Sequence, residues 1–104
     1  MSVTAVLIHE ETGKMEEINL DISPEKNEIF KRLCGPQTFI GQWPDIDVVI
    51  MKSQWARRRN TNKLPPPFNT ERVAGKVLLV RMDENSEPRN FSLREYRWYK
   101  RSSA

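Results

Sequence analysis

The sequence has too few cysteines and histidines to build the common metal or redox sites. It contains one cysteine, Cys34, and one histidine, His9. One cysteine cannot form an intramolecular disulfide, and neither a cysteine-based zinc site nor a paired-histidine metal motif can be assembled. The four glycines form neither a G-x-G-x-x-G pattern nor a P-loop. We therefore expect no metal, no nucleotide and no other cofactor.

Long apolar runs are also missing. No stretch approaches the roughly 20 consecutive apolar residues of a membrane-spanning helix, and the first residues lead into a strand pattern without the features of a signal peptide. The 104 residues, of which 38% are hydrophobic, have the length of one domain with one thin core. We expect residues 1–104 to form a single domain without membrane contact. Its expected location is the cytoplasm, or the host cytoplasm or nucleus if the protein is viral.

Charge is unevenly distributed along the chain. Residues 1–51 contain nine acidic and four basic side chains, a net charge of −5, whereas residues 52–104 contain five acidic and thirteen basic side chains, a net charge of +8. Such asymmetry can direct binding to a polyanion or to an acidic protein surface. It is equally compatible with charges that intermix on one surface after folding, and the sequence leaves both interpretations open.

The N-terminal third predicts a hairpin followed by a helix. Residues 3–22 show the strand pattern of a β-hairpin whose turn contains Gly13, which can adopt a positive φ. Ser23 is typical of a helix N-cap and Pro24 of the first helical position. Gly35 is expected to end this helix.

The middle of the chain predicts strands and one long irregular segment. Strands are predicted over Thr38–Trp43, Asp47–Met51 and Lys76–Met82. In the first of these, Phe39, Gly41 and Trp43 are expected on one side. The segment at about 53–70 is basic and then rich in proline, without periodicity. Its three consecutive prolines are expected to be extended, as in polyproline II, with Phe68 anchored in the core.

A second helix is predicted at the C-terminus. Ser92 and Glu95 have the S-x-x-E spacing of a capping box, with Phe91 and Tyr96 on either side of the cap. The predicted order is therefore β-β-α-β-β-loop-β-α. That order indicates the α+β class, with a mainly antiparallel sheet of about five strands and two packed helices.

Three pieces of this pattern carry a family resemblance. They are the opening hairpin and helix, the "LPPPFN" segment Leu64–Asn69, and the Val73–Tyr96 stretch with a Gly-led strand, an acidic turn and Ser-Leu at the start of a helix. The chain resembles a family of small proteins of unknown function from bacteria, phages and plasmids. Pro67-Phe68 stands where that family usually has Asn-Arg. The resemblance implies this fold order and a mobile-element or viral origin, and it implies no catalytic residues.

The candidate residues for catalysis do not form a site. His9 has no assignable nucleophile or orienting group, so it is interpreted as structural or solvent-exposed. Cys34 lies at the end of a predicted helix rather than at its N-terminus, and is interpreted as a small buried hydrophobe. Four carboxylates, Asp45, Asp47, Asp83 and Glu84, would bind Mg²⁺ only if their loops converged. We expect a protein that is not an enzyme and has no small-molecule substrate.

Mixed basic and aromatic residues are the strongest functional signal. Guanidinium groups bind phosphate or carboxylate, and aromatic rings stack on bases or fill pockets of partner proteins. We expect these residues to form one continuous positive patch that binds either an acidic protein partner or, alternatively, single-stranded nucleic acid. The candidate residues are Trp55, Arg57, Arg58, Arg59, Lys63, Arg94, Arg97, Trp98, Lys100 and Arg101.

Overall fold

The computed structural model describes residues 2–103 and contains one antiparallel sheet with a helix on each face. The strands are β1 (Ser2–Ile8), β2 (Met15–Asp21), β3 (Gln37–Trp43), β4 (Val48–Ser53), β5 (Val77–Met82) and β6 (Pro88–Arg89), and the helices are α1 (Glu28–Leu33) and α2 (Leu93–Ser102). Five strands follow the order β2-β1-β5-β4-β3, and β6 pairs with the end of β5. The predicted α+β class and element order are confirmed, and β6 is an addition.

Alternation along the strands divides the core into two apolar clusters. In β1, Val6 and Ile8 belong to the cluster under α2, whereas Leu7 belongs to the cluster under α1. In β5, Leu79 likewise belongs to the cluster under α2 and Leu78 to the cluster under α1. Because β1 and β5 lie inside the sheet and bury both faces, their sequences are nearly continuous in apolar residues.

The first helix is shorter than the sequence predicts. A single 3-10 turn covers Pro24–Lys26, and Asn27 then adopts a left-handed conformation with φ of 53°, so that α1 begins only at Glu28. Cys34, rather than Gly35, takes the left-handed position that ends α1, and its side chain is exposed instead of buried. Gly35 is required for a different reason, since a Cβ there would overlap the Ser53 hydroxyl.

Strand β3 contains a bulge that the period-2 pattern does not reveal. Phe39 pairs with Met51 and Gly41 with Ile50, so Ile40 is an extra residue in β3. The expectation that Phe39, Gly41 and Trp43 share one side is therefore wrong. Phe39 lies on the α1 face and is 58% exposed, whereas Trp43 is buried on the α2 face.

The proline segment folds back onto β3 instead of extending. The peptide bond between the second and third prolines is cis, and the Phe68 N–H donates to the Pro65 carbonyl at 3.2 Å. The Trp43 indole N–H donates to the Pro66 carbonyl at 3.1 Å, and the Phe68 ring fills the space above Gly41. Packing against β3 thus replaces the predicted polyproline II conformation, while the predicted anchoring role of Phe68 is observed.

The second helix has the predicted N-terminus. The Ser92 hydroxyl accepts a hydrogen bond from the Glu95 N–H at 3.0 Å, and the Glu95 carboxylate accepts one from the Ser92 N–H at 3.3 Å. Phe91 and Tyr96 are both fully buried, with ring centroids 6.4 Å apart. The capping box therefore positions α2 with one face on the sheet and the opposite face towards solvent.

Candidate functional site

The solvent face of α2 combines four basic side chains with one exposed tryptophan. We define the α2 surface as Arg94, Arg97, Trp98, Lys100 and Arg101. Trp98 is 62% exposed. Within residues 2–103, none of the four cations forms an ion pair or a side-chain hydrogen bond. The surface therefore presents uncompensated positive charge around a large apolar ring.

The only acidic residue of α2 is already neutralised by a basic side chain of the sheet. The Glu95 carboxylate lies 2.8 Å from the Arg81 guanidinium. Partial burial opposes ionisation of Glu95, but the hydrogen bonds from Arg81 and from the Ser92 backbone outweigh it and lower its pKa. Glu95 thus stays ionised and paired, and it does not cancel the charge of the α2 surface.

A groove of about 310 Å³ lies beside Trp98. Its apolar lining comes from Ile46, Phe91, Trp98 and Tyr99, and Arg94 and Glu95 line it as well. Arg81 also lines the groove, and its guanidinium lies over the Phe91 ring at 5.0 Å from the centroid. An apolar groove bordered by cations suits an apolar side chain that is carried on an acidic segment.

Hydrogen bonds to the β3–β4 turn hold this groove in place. The Tyr99 hydroxyl donates to the Asp45 carboxylate at 3.0 Å. Partial burial and this hydrogen bond raise the pKa of Tyr99, so its phenol is neutral at physiological pH. Arg81 donates to the Ile46 carbonyl at 3.1 Å. The β3–β4 turn, the sheet and α2 are thereby connected around the groove.

Three of the predicted residues lie beside α1 instead. Trp55, Arg57 and Arg58 line a groove of about 250 Å³ together with Leu33 and Cys34. Trp55 is 63% exposed and meets the Phe30 ring edge-on at 5.5 Å. Arg58 forms an ion pair with Glu11 at 3.2 Å, in agreement with the alternative that some charges intermix on folding.

Two further predicted residues lie in a third groove. Arg59 and Lys63 line it together with Arg72, which the sequence analysis did not single out. The loop is held there by Asn60, whose buried amide donates to the Gly75 carbonyl at 2.9 Å, and by Asn62, which donates to the His9 carbonyl at 2.8 Å. Sequence reasoning missed Arg72 because no local pattern shows that the two ends of this loop lie together.

The predicted continuous patch is therefore divided. The long loop leads into the start of β5, whereas α2 follows the β6 hairpin at the end of β5. Six residues of strand separate the two ends by roughly 20 Å. Trp55 and Arg57 also lie beside α1, on the face opposite α2. The expectation of one positive surface is wrong. The path of the chain places the loop cations and the α2 cations on different parts of the fold.

The residues considered for catalysis make other contacts in the fold. The His9 imidazole contacts the Glu16 carboxylate at 2.6 Å. Asp47, Asp83 and Glu84 do line one groove, so these two loops converge. The part of the chain that is described contains no group of three or more side chains able to hold a metal ion. Backbone hydrogen bonds from Glu87 and Asn85 lower the pKa of Asp83, which organises its own turn.

The comparison with family models places the chain among proteins whose role is not established. The model of a family of unknown function, DUF5880, matches residues 6–99. The chain belongs to this family. The DUF5880 match spans α1, most of α2 and most of the sheet, including the Leu64–Asn69 and Val73–Tyr96 segments. No curated protein and no solved structure matches the chain.

The DUF5880 match confirms that the chain belongs to a family of unknown function. It carries no residue roles, so the geometry described above is the only basis for assigning them. Among the described helices, none is long and apolar enough to cross a membrane.

Proposed function

We propose that this DUF5880 protein is a non-enzymatic interaction or regulatory module that binds an acidic protein partner through the α2 surface. The observation that supports this most directly is the pairing of exposed Trp98 with an apolar groove and unpaired cations on one helix. Tryptophan and arginine are the residues that most often dominate the energy of protein interfaces. We place its action in the cytoplasm, and we retain the mobile-element or viral origin suggested by the sequence as part of the proposal.

The groove and the charges have separate roles. Burial of an apolar side chain against Trp98, Phe91 and Tyr99 would provide most of the affinity, since apolar area removed from water contributes about 25 cal/mol per Å². Arg94 and Arg97 would select acidic sequences and accelerate their association. Specificity for an acidic partner then follows from the charge, and stability of the complex follows from the groove.

Single-stranded nucleic acid is a second candidate ligand, with the long loop as its site. Trp55 is exposed enough to stack on a base, and Arg57, Arg59 and Lys63 have no ion-pair partner among residues 2–103. We rank it second because these residues line two separate grooves, whereas the α2 surface contains its aromatic ring and its cations on one element.

Affinity capture with and without nuclease distinguishes the two ligands. We expect the tagged full-length protein to retain an acidic protein from extracts of its source cells after nuclease treatment. The double variant W98A/R94A should lose this protein because the groove loses a wall and a cation. The triple variant R57A/R58A/R59A is the matched control and should retain it, since none of these arginines lines the groove beside Trp98.

The opposite result identifies the nucleic-acid function. Retardation of single-stranded RNA or DNA by the wild-type protein at low salt, abolished in the R57A/R58A/R59A variant and preserved in W98A/R94A, would contradict the protein-partner proposal. In that case binding should weaken steeply with salt, because phosphate contacts release counterions.

A further inference from the structure

Among the described strands, none pairs with the outer edge of β3. β3 pairs only with β4, so half of its backbone N–H and C=O groups face away from the sheet. An exposed strand edge is a template for pairing with another chain unless charges, prolines or covering segments block it. The opposite edge, β2, is blocked in this way by Glu16, Glu17 and Asp21.

β3 has none of these charges, and the proline segment packs only on its Gly41–Trp43 end. Its sequence, QTFIGQW, contains no ionisable side chain, although 30% of the protein is charged. Phe39 projects from it on the α1 face and is 58% exposed. Two of the other exposed large apolar side chains, Phe30 and Trp55, contact each other beside the start of β3, where Phe30 lines a groove with Gln37. The edge is therefore uncharged and bordered by exposed aromatic rings.

Charges of opposite sign lie at the two ends of β3. Lys31 and Arg32 form the last turn of α1, just before β3 begins. Asp45 and Asp47 lie in the turn where β3 ends, and Glu84 lines the adjoining groove with Phe39. Within residues 2–103, Lys31, Arg32, Asp47 and Glu84 form no ion pair.

The charges at the two ends of β3 complement those of a second copy only if the two β3 strands run antiparallel. If β3 meets β3 of a second copy in antiparallel orientation, the basic end of each copy lies opposite the acidic end of the other. A parallel arrangement would bring like charges together, which is destabilising. The antiparallel arrangement has a two-fold axis, so each copy contributes the same residues to the contact.

We propose that β3 is the homodimer interface of this protein and joins two copies into one continuous antiparallel sheet. The ladder lies over Gln37–Phe39, because the bulge at Ile40 interrupts regular pairing beyond that point. Phe39 becomes buried against the second copy. The interface lies at the edge opposite β2 and does not use Trp98, so both copies keep the α2 surface free for a partner.

Sedimentation equilibrium of the full chain over a concentration series tests this proposal. We expect a dimer at about 0.1 mM, and a dissociation constant at least about tenfold higher for F39K, which places a cation in the centre of the contact. W98K is the matched control, since Trp98 is exposed to a similar extent, 62%, on the other face. It should dimerise like the wild type. Circular dichroism should show that both variants are folded.

Two further measurements fix the location of the contact. Amide hydrogen exchange of residues 37–39 should slow as the protein concentration rises, while the amides of β2 should not change. D47N should weaken the dimer and reduce its sensitivity to salt, because one of the complementary charges is lost. A monomer at all concentrations up to about 1 mM, or a dimer that W98K disrupts and F39K does not, would overturn the proposal.

Discussion

Two glycines with positive φ show how one residue type serves different local needs. Gly13 has φ of 79° in the β1–β2 turn, and no atom lies within van der Waals reach of a Cβ at that position. Gly75 has φ of 85° where the long loop returns to β5, and a Cβ there would overlap the Cβ of Ala56. The first glycine satisfies a backbone conformation alone, whereas the second also permits close packing between two parts of the loop.

The two positions predict different costs for alanine. G13A should lower the free energy of unfolding by about 1–2 kcal/mol through the left-handed backbone. G75A should lower it by about 2–4 kcal/mol, because the loop must also move away from Ala56. Urea unfolding of both variants measures the difference. Equal costs would show that the loop accommodates the methyl group freely.

At the scale of the element, α2 depends on its first turn. The helix has ten residues, which is short for a helix that must form in isolation. Its capping box satisfies backbone N–H groups at the N-terminus, and Phe91 and Tyr96 attach the same turn to the core. The solvent face, which contains the proposed binding residues, is therefore positioned by residues that do not contact the partner.

Removal of the cap should destabilise the fold without altering the binding chemistry. S92A is expected to lower the free energy of unfolding by about 1 kcal/mol, since the Glu95 N–H loses its acceptor. S102A, at the exposed C-terminal end of the same helix, is the control and should change it by less than about 0.5 kcal/mol. Chemical denaturation followed by circular dichroism compares the two. If S102A proved as costly as S92A, the cap would not be the cause.

At the scale of the whole molecule, carboxylates connect stability to pH. Hydrogen bonds from the backbone lower the pKa of Asp83, of Glu11 and of Asp21. Some burial opposes the ionisation of Glu10, but a backbone hydrogen bond and Lys76 outweigh it and lower its pKa. A carboxyl whose pKa is lower in the folded state stabilises that state above its unfolded pKa. The stabilisation disappears as the pH falls through the folded pKa.

The protein should therefore lose stability on acidification below about pH 4.5. D83N should flatten this dependence, because Asp83 accepts hydrogen bonds from Glu87, Asn85 and Arg89 in the folded state. E25Q is the control, since the Glu25 side chain makes no hydrogen bond or ion pair within residues 2–103. Thermal unfolding between pH 3 and pH 7 records the profiles. A D83N profile as steep as that of the wild type would contradict the assignment.

Local rules predicted the elements whose causes are local in sequence. Ser92 and Glu95 are three residues apart, so their reciprocal hydrogen bonds follow from spacing alone. The hairpin of β1 and β2 follows from alternation and from Gly13. The apolar run in β5 predicted a strand, and the class of the fold follows from the order of these elements.

Tertiary structure decided the conformation wherever contacts between distant residues outweigh local preference. Phe68 and Trp43 shape the proline segment and the β3 face, and the left-handed backbone of Asn27 divides the predicted helix. The division of the basic residues and the exposure of Phe39 beside the bulge were likewise absent from the sequence pattern. Charge counts record how many cations a chain has, whereas the path of β5 and the two faces of the sheet determine which of them lie together.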